Sequence, residues 1–567
     1  MLAGLAPLWL MGMFGRGLWT PDEPREADIA WRMSLQADKA LPHLGGTPFL
    51  EKPPLSYWVA AAGIGAFGDS PGAARAANLA YAAVTVLALA ALALAAGLAG
   101  ETALVVGLIA GSTLLAYRVA SWLAPDAALL AGNALALLGL WRGYRAAPGK
   151  AKLTGYALMH LGAALGFMAK SAPGWLVPGL ALLVLILWER RFAELRRWEL
   201  YAGLVLQALI IGPWIAAVAH TSEGAEALHT LLWNNIVGRF TQVAAAPGLD
   251  YTRGHPNWPG KYWLELPVYL LPWTLIAAAA LVRSWSRARA ADGAPWRFAL
   301  SASLPFLLLL SVAATARDIY AAPALLGLAL LAGLWAAEAE RSASALDRNC
   351  LRATRWLIGG LGALLAAGLI LLAFAQAAAP LTCAAAAAAV CVFGLPALGA
   401  ARAAEAQGRF GAALALCYTA WAGALCLTAL VAFPLIDRGQ DLARLARQVH
   451  ADTREQPLAL LAPDETTLAI MDHGYHGSLS VLTGTDARAV RGWFAARGGA
   501  ARVLVLLPGH ASGPLTPWLA PWRHSSPPND GLAGELIARR EARLVARYEL
   551  PHGRRYALLG PFLPPAT

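Results

Sequence analysis

The sequence predicts an α-helical polytopic membrane protein of about thirteen transmembrane helices, followed by a small α/β domain. Three observations carry that expectation. The 567-residue chain is 58% hydrophobic and only 14% charged, with mean hydropathy +0.52, whereas soluble domains carry roughly 25% charged residues. Apolar runs of about 20 residues recur along it, and about 20 helical residues cross a hydrocarbon core. After residue 434 the pattern changes to short apolar runs such as PLALLAP and ARVLVLLPG, separated by Gly, Pro and charge. That alternation reads as strands interleaved with helices. The 55 Gly suit close helix packing in lipid and the 22 Trp suit interfacial belts.

Taken in order, the expected spans fall near 2–15, 75–98, 101–118, 125–141, 153–170, 173–188, 200–219, 262–282, 298–315, 319–336, 356–377, 380–400 and 410–434. Residues 2–15 read as a first span rather than a cleaved signal. The segment 55–68 is apolar but only about 14 residues long, so it reads as re-entrant or interfacial. Basic residues then set the orientation. Arg142, Arg145, Lys150 and Lys152 follow one span; Arg190, Arg191, Arg196 and Arg197 follow another; Arg283, Arg287 and Arg289 follow a third. Arg341, Arg348, Arg352 and Arg355 occupy a fourth loop, and Arg402 with Arg409 a fifth. All five loops share one side if 55–68 does not cross, and the positive-inside rule makes that side the cytoplasm. The loops 16–74 and 220–261 then face outward, as does everything after 435. The expected division is a transmembrane domain, 1–434, and an outer α/β domain, 435–567.

Composition also excludes some functions. The net charge of +11 fits topogenic arginine and contact with anionic lipid better than a nucleic-acid partner. The five cysteines, Cys350, Cys383, Cys391, Cys417 and Cys426, have neither disulfide-frame nor zinc spacing. His473 and His476 lack a third ligand at recognisable spacing, so no metal and no cofactor are expected.

Several polar clusters stand out against the apolar background. Asp22-Glu23-Pro24-Arg25-Glu26 follows Trp19 at an interface. Pro in a first helical turn with acids beside it is also the pattern of a capped surface helix. Asp28 and Arg32 stand at i,i+4 spacing. Glu51-Lys52-Pro53-Pro54 fixes a lysine beside Tyr57 and Trp58, which suits either a phosphate ligand or an interfacial snorkel. Asp126 begins a span after Pro125, and an acid at a membrane helix costs up to roughly 2.5–3.5 kcal/mol at the centre and less at the edge. Lys170 follows a span in FMAKSAPGWLVP. The loop 220–261 holds Asn234, Asn235, Arg239, Arg253 and His255 among aromatic residues. Arg317, Asp318 and Tyr320 form a tight outer turn, where an Arg-Asp neighbour pair also reads as self-satisfied.

What discriminates is the joint pattern. Acids and cations from separate segments all fall on the outer side, while the spans carry few ionisable groups. A transporter places charge near the midplane on broken helices. Acids with phosphate-binding cations beside lipid suit transfer from a lipid-linked phosphate.

DEPREADIAWRM followed by GGTPFLEKPPLSYW resembles the first outer loop of the membrane-embedded GT-C glycosyltransferases. Within them the resemblance is to the lipid A 4-amino-4-deoxy-L-arabinose transferases and their protein O-mannosyltransferase relatives. Later pieces recur in the same order: an Asp after the third span, a Lys-x-x-Pro-Gly turn, an Asn-x-x-x-Arg-Phe element, a His-Pro loop before a Pro-Trp span, and a Tyr-x-x-Pro turn. The resemblance covers about residues 1 to 340; beyond them only the layout matches.

The resemblance implies a multi-pass enzyme of the bacterial inner membrane, with its active site and C-terminal domain facing the periplasm. It implies an undecaprenyl-phosphate-linked aminoarabinose donor and a lipid A phosphate acceptor. Asp22 matches an active-site Asp, with Glu23 beside it, and Asp126 a second Asp. Lys52, Arg239, Tyr320 and Arg25 would bind donor phosphate; Glu51, Lys170, Arg253, His255 and Arg317 would contact acceptor or substrate. The tyrosine turn reads ARDIYAAP where Lys-Leu-x-x-Tyr is commoner, so Arg317 stands as a substitute cation. Asp22 and Lys52 are expected to face one cavity. A related hexose transferase acting on protein or glycan, and a non-catalytic prenyl-lipid binder or flippase, remain open. A monomer among membrane lipids is expected.

Overall fold

A computed structural model describes residues 1–238, 257–375, 378–482, 486–508, 531–550 and 553–562. They form two compact units. The first comprises Met1–Gly15, Asp38–Pro42 and Pro48–Ala432; the second comprises Arg16–Ala37, His43–Thr47 and Phe433–Thr567.

The first unit is helical, and a helix lies at each expected span. Among the described residues, six helices are long and apolar enough to cross a membrane: Pro71–Ala95, Trp198–Ala219, Ala294–Val312, Ala345–Phe374, Pro380–Ala406 and one that starts at Phe410. The number reaches eight if two bent pairs each count as one span. Leu2–Met13, Leu55–Phe67 and Pro173–Glu189 are apolar but shorter. The chain is thus a multi-span membrane protein.

Three further helices, Asp126–Arg145, Lys150–Lys170 and Ala324–Arg341, are mostly buried within the unit. They face protein rather than lipid, so they need not be uniformly apolar. The first two pack against each other with their backbones nearly touching. A Cβ on Gly132 would meet Gly166 N at 2.6 Å and Gly162 O at 2.7 Å. Small residues at these points are what permit so close an approach.

Two of the expected spans, 101–118 and 262–282, are bent. Gly100–Ser112 and Leu114–Ser121 meet at 68°. Thr113 between them is extended, and its hydroxyl accepts from Ala116 N, which stops one helix and caps the next. Lys261–Tyr269 and Thr274–Arg287 meet at 119°. Pro272 lies in that break, and a proline has no N–H with which to continue a helix.

The second unit holds the helix Glu23–Leu35 and a five-stranded sheet. Across the sheet the strands run Leu479–Leu482, Leu458–Leu461, Arg502–Leu506, Arg555–Pro561 and Ala542–Glu549. The first three are mutually parallel, and the last two join antiparallel. Alternate residues feed two cores. Leu458, Leu460, Leu504 and Leu558 pack on one face; Ala459, Leu461, Val503, Val505 and Leu559 pack on the other. A sheet covered on both faces reads as unbroken apolar runs, which is why PLALLAP and ARVLVLLPG look as they do. Asp464 and Asp486 cap the helices Glu465–Gly474 and Ala487–Arg497.

Candidate active site

Within the first unit a cleft encloses about 830 Å³, open solvent included. Glu51, Lys52, Asp126, Lys170, Asn235 and Tyr320 are its polar wall. Leu129, Leu176, Phe306, Leu309 and Leu310 make the rest largely apolar. These six residues come from five separate segments that the sequence had singled out one at a time.

Helix packing explains how Asp126 and Lys170 meet. Asp126 is the first residue of one helix and Lys170 the last residue of the next. The glycine contacts hold these antiparallel helices together, so the two ends lie side by side. Each charge also suits its end, since acids favour a helix N-terminus and cations a C-terminus. Lys170 Nζ donates to Asp126 Oδ1 at 2.5 Å, with the two side chains 12% and 4% exposed. Lys170 Nζ also lies 4.7 Å from the centre of the Tyr320 ring, a cation–π contact. The chain then turns at Ser171, whose φ of 58° is rare for a non-glycine residue and characteristic of functional turns.

Lys52 is fixed from the other side. Leu41 and Leu50 bury against Phe167, Met168 and Trp214, which anchors the segment leading to it. Trp214 Nε1 donates to Ala40 O at 3.0 Å and Trp58 Nε1 to Lys39 O at 2.7 Å. Lys52 Nζ lies 3.1 Å from Glu51 Oε2. Pro53 and Pro54 then lead into the helix Leu55–Phe67. Among the described residues, the cleft therefore holds two cations, each beside its own carboxylate.

Tyr320 sits in a short 3₁₀ turn, Asp318–Ala321. The Tyr262 hydroxyl donates to Arg317 O at 3.2 Å. Asn257 Nδ2 donates to Leu310 O at 2.9 Å and Ala313 O at 2.7 Å, which satisfies carbonyls at the end of the helix Leu304–Val312. Asp318 pairs with Arg118. That puts a partner of Asp318 on another helix, Leu114–Ser121. Arg317 is not among the described residues that line the cleft.

Asp22, Glu23 and Arg25 belong to the second unit. They are buried, at 8%, 0% and 5% exposure, which excludes a solvated surface helix. Glu23 accepts from Arg16 Nη1 at 2.5 Å, Arg16 Nη2 at 2.9 Å and Trp19 N at 2.8 Å. Arg25 contacts Asp22 at 3.3 Å, Glu26 at 3.0 Å and Glu465 at 2.5 Å. Asp28 and Arg32 do approach, at 4.0 Å, but Arg32 binds Asp472 through two nitrogens. Burial, with Asp472 close by, pushes the Asp28 carboxyl up to about 9.

Arg239, Arg253 and His255 lie outside the described residues. Sequence reasoning missed Arg16, Arg118, Glu465 and Asp472. All four are partners of residues it did select. Three of them lie far along the chain from their partners, so spacing gives no signal. Arg16 alone had a local cue, an arginine just ahead of an acidic run.

Residues 51–216 match the family model for dolichyl-phosphate-mannose-protein mannosyltransferase. A Pseudomonas aeruginosa protein named undecaprenyl phosphate-alpha-4-amino-4-deoxy-L-arabinose arabinosyl transferase is 33% identical over 335 residues, 59% of this chain and 58% of that protein. An Edwardsiella ictaluri protein of the same name is 30% identical over 367 residues, 63% of this chain and 62% of its own length. The chain thus spans about three fifths of the curated relatives it matches. The crystal structure of ArnT from Cupriavidus metallidurans bound to undecaprenyl phosphate has the same fold. Its TM-score is 0.69 at 19% identity, over 98% of this chain and 96% of that one. The apo form of that protein gives 0.65. The expected resemblance to these transferases is borne out, and the family match takes in the Glu51-Lys52-Pro53-Pro54 stretch.

Proposed function

We propose that this chain, which resembles the aminoarabinose transferases in sequence and fold, is a glycosyltransferase that uses a polyprenyl-phosphate sugar. In this reading it moves 4-amino-4-deoxy-L-arabinose from undecaprenyl phosphate to a lipid A phosphate. It works in the bacterial inner membrane, with the cleft and the α/β domain on the periplasmic side. The observation that carries the reading is the cleft of the first unit. Two lysines stand at the polar wall of a largely apolar cleft, each with a carboxylate beside it.

That arrangement matches a zwitterionic lipid donor. The prenyl phosphate is an anion attached to an apolar chain, and the sugar carries an ammonium. A phosphate beside Lys52 and Lys170 gives each lysine a second anionic partner. Glu51 and Asp126 then stand ready for the ammonium, and Leu129, Leu176 and Phe306 for isoprene. A neutral hexose donor gives the two carboxylates no such task. The names of the curated relatives and the undecaprenyl phosphate in the solved homologous fold support the same donor.

The reaction breaks the bond between sugar carbon 1 and a phosphate oxygen. Negative charge grows on the leaving phosphate, and preorganised cations at that oxygen lower the barrier most effectively. Lys52 takes this role, with Arg239 as a second cation and the Tyr320 hydroxyl as a hydrogen-bond donor. Displacement in one step inverts the anomeric carbon. A lipid A phosphate is already ionised near neutral pH, so the acceptor requires little base catalysis. Asp22 therefore acts mainly by orienting substrate and stabilising positive charge at the sugar ring. Glu23, which accepts from Arg16 and Trp19 N, holds the loop that carries Asp22. The product has less negative charge on its surface, which weakens attraction of cationic peptides such as polymyxin.

Mass spectrometry of lipid A from cells with and without the chain tests this. The expected result is a gain of one aminopentose per modified phosphate. A second reading, mannose or another hexose moved to protein or glycan, is favoured by the mannosyltransferase family match over 51–216. It predicts unchanged lipid A and turnover of a neutral prenyl-phosphate hexose. A binder or flippase requires Lys52 but not Asp22.

A further inference from the structure

The helix Glu465–Gly474 of the α/β part runs along the helix that begins beside Asp22 and joins it at several points. Glu465 meets Arg25 at 2.5 Å. Asp472 accepts from Arg32 through both of its oxygens. The His473 and Trp31 rings meet edge to face at 4.8 Å. Leu468 fills the space over Gly45, where an added Cβ would come within 2.4 Å of its methyl group. Gly45 N in turn donates to Asp28 at 3.1 Å. All of these residues belong to the second unit.

The Glu465 contact differs from the others in where it leads. Arg25 is 5% exposed and shared among three carboxylates. Its Nη1 serves Glu465, while its Nη2 faces Asp22 at 3.3 Å and Glu26 at 3.0 Å. A guanidinium is a rigid planar fork, so fixing one nitrogen fixes where the other points. Glu465 is itself fixed. It is the first residue of a helix whose N-cap, Asp464, accepts from Thr467 N at 2.8 Å. The longest link in the chain is that between Arg25 and Asp22, so it is the one most readily changed when Arg25 turns.

We propose that Glu465 is a positioning residue for Asp22, acting through Arg25, and that the α/β domain thereby helps to set the geometry of the catalytic loop. This rests on the role given to Asp22 in the transferase reading. Without Glu465 the Nη1 prong loses that carboxylate, and the guanidinium shifts toward Glu26 or grips Asp22 with both nitrogens. Either movement misplaces the Asp22 carboxylate, and small misplacements of a catalytic group are costly. In the transferase reading the donor phosphate is held by Lys52, Arg239 and Tyr320, and Arg25 is engaged by carboxylates instead, so donor KM is not expected to change.

The test uses the full-length protein in detergent, with four variants assayed for turnover of the prenyl-phosphate aminosugar and for thermal unfolding. Glu465→Gln keeps the size and removes the charge; it is expected to lower kcat about tenfold, with donor KM within about twofold of wild type. Glu465→Asp keeps the charge and is expected to recover most of kcat. Asp472→Asn breaks the other charged clamp on the same helix pair and is expected to lower the melting temperature while leaving kcat per folded protein unchanged. Equal loss of kcat per folded protein in Glu465→Gln and Asp472→Asn would overturn the proposal in favour of simple scaffolding, as would unchanged kcat in Glu465→Gln. Asp22→Asn separates the two ideas: full activity there contradicts the role given to Asp22, on which the positioning proposal rests, and absent turnover in wild type contradicts the transferase reading, whereas an inactive Asp22→Asn beside a normal Glu465→Gln contradicts only the positioning role.

Discussion

Lys170 donates to Asp126 at 2.5 Å, linking the last residue of one helix to the first residue of its antiparallel neighbour. Each residue alone also has an ordinary reading, an acid after a proline and a lysine at a helix end. Together they form a buried ion pair in the wall of an apolar cleft, where charges without a purpose are costly.

Removing one member of that pair strands the other. Asp126→Ala or Lys170→Ala is expected to destabilise the protein by about 3–5 kcal/mol, the usual cost of an uncompensated buried charge. The double replacement Asp126→Asn with Lys170→Met is expected to regain stability but not turnover. Thermal unfolding of the purified variants, alongside turnover, checks both halves. Recovery of turnover in the double variant would show that the pair is structural only.

Glu51 stands 3.1 Å from Lys52. If it receives the donor ammonium, Glu51→Gln should weaken preference for an aminosugar over a neutral sugar by about tenfold, near the 1.4 kcal/mol value of one charge-assisted contact. Competition between the two prenyl-phosphate donors measures the ratio directly. An unchanged ratio confines Glu51 to holding Lys52.

The Asp28 carboxyl is held protonated well above the ordinary range by burial and by Asp472. Its pKa rises from 3.8 to about 9, so between these values the folded chain keeps a proton that the unfolded chain has released. Stability from this group is full below the lower value and declines as pH rises toward 9, by at most about 1.4 kcal/mol per pH unit. Melting temperatures from pH 5 to 9 should fall less steeply in Asp28→Asn than in wild type. Parallel curves would refute the assignment.

Glu23 is 0% exposed and binds Arg16 with two short contacts. Glu23→Ala leaves that arginine without its two-pronged partner, and a loss of about 3–5 kcal/mol is expected. Denaturant titration of the variant against wild type measures it. A loss below about 1 kcal/mol would match an exposed pair instead.

Much of this was legible in the sequence because membrane helices announce themselves by length and apolarity. Helices such as Trp198–Ala219 and Pro380–Ala406 were readable for that reason. The helix Lys261–Tyr269 was not seen to turn by 119° into its neighbour, because hydropathy is blind to direction. The site divides in the same way. Lys52 was found because prolines and aromatics frame it locally, and Tyr320 through the resemblance of its Tyr-x-x-Pro turn. The Asp318 partner Arg118 and the Arg25 partner Glu465 were not found, since tertiary packing alone brings them near. That Asp126 and Lys170 form one pair follows from glycines spaced along both helices, a signal visible only once the helices are known to be neighbours.

The central claim is that Lys52 stabilises the phosphate that leaves a lipid-linked aminosugar. Its most direct measurement is turnover of undecaprenyl phosphate-linked aminoarabinose by the purified full-length protein, wild type against Lys52→Ala, with a prenyl-phosphate hexose run in parallel. The account predicts wild-type turnover of the aminosugar donor with lipid A as acceptor, and a fall of at least about a hundredfold in Lys52→Ala, the scale expected when a preorganised charge is removed from a developing anion. Equal turnover in the two proteins, or transfer of the hexose alone, would contradict it.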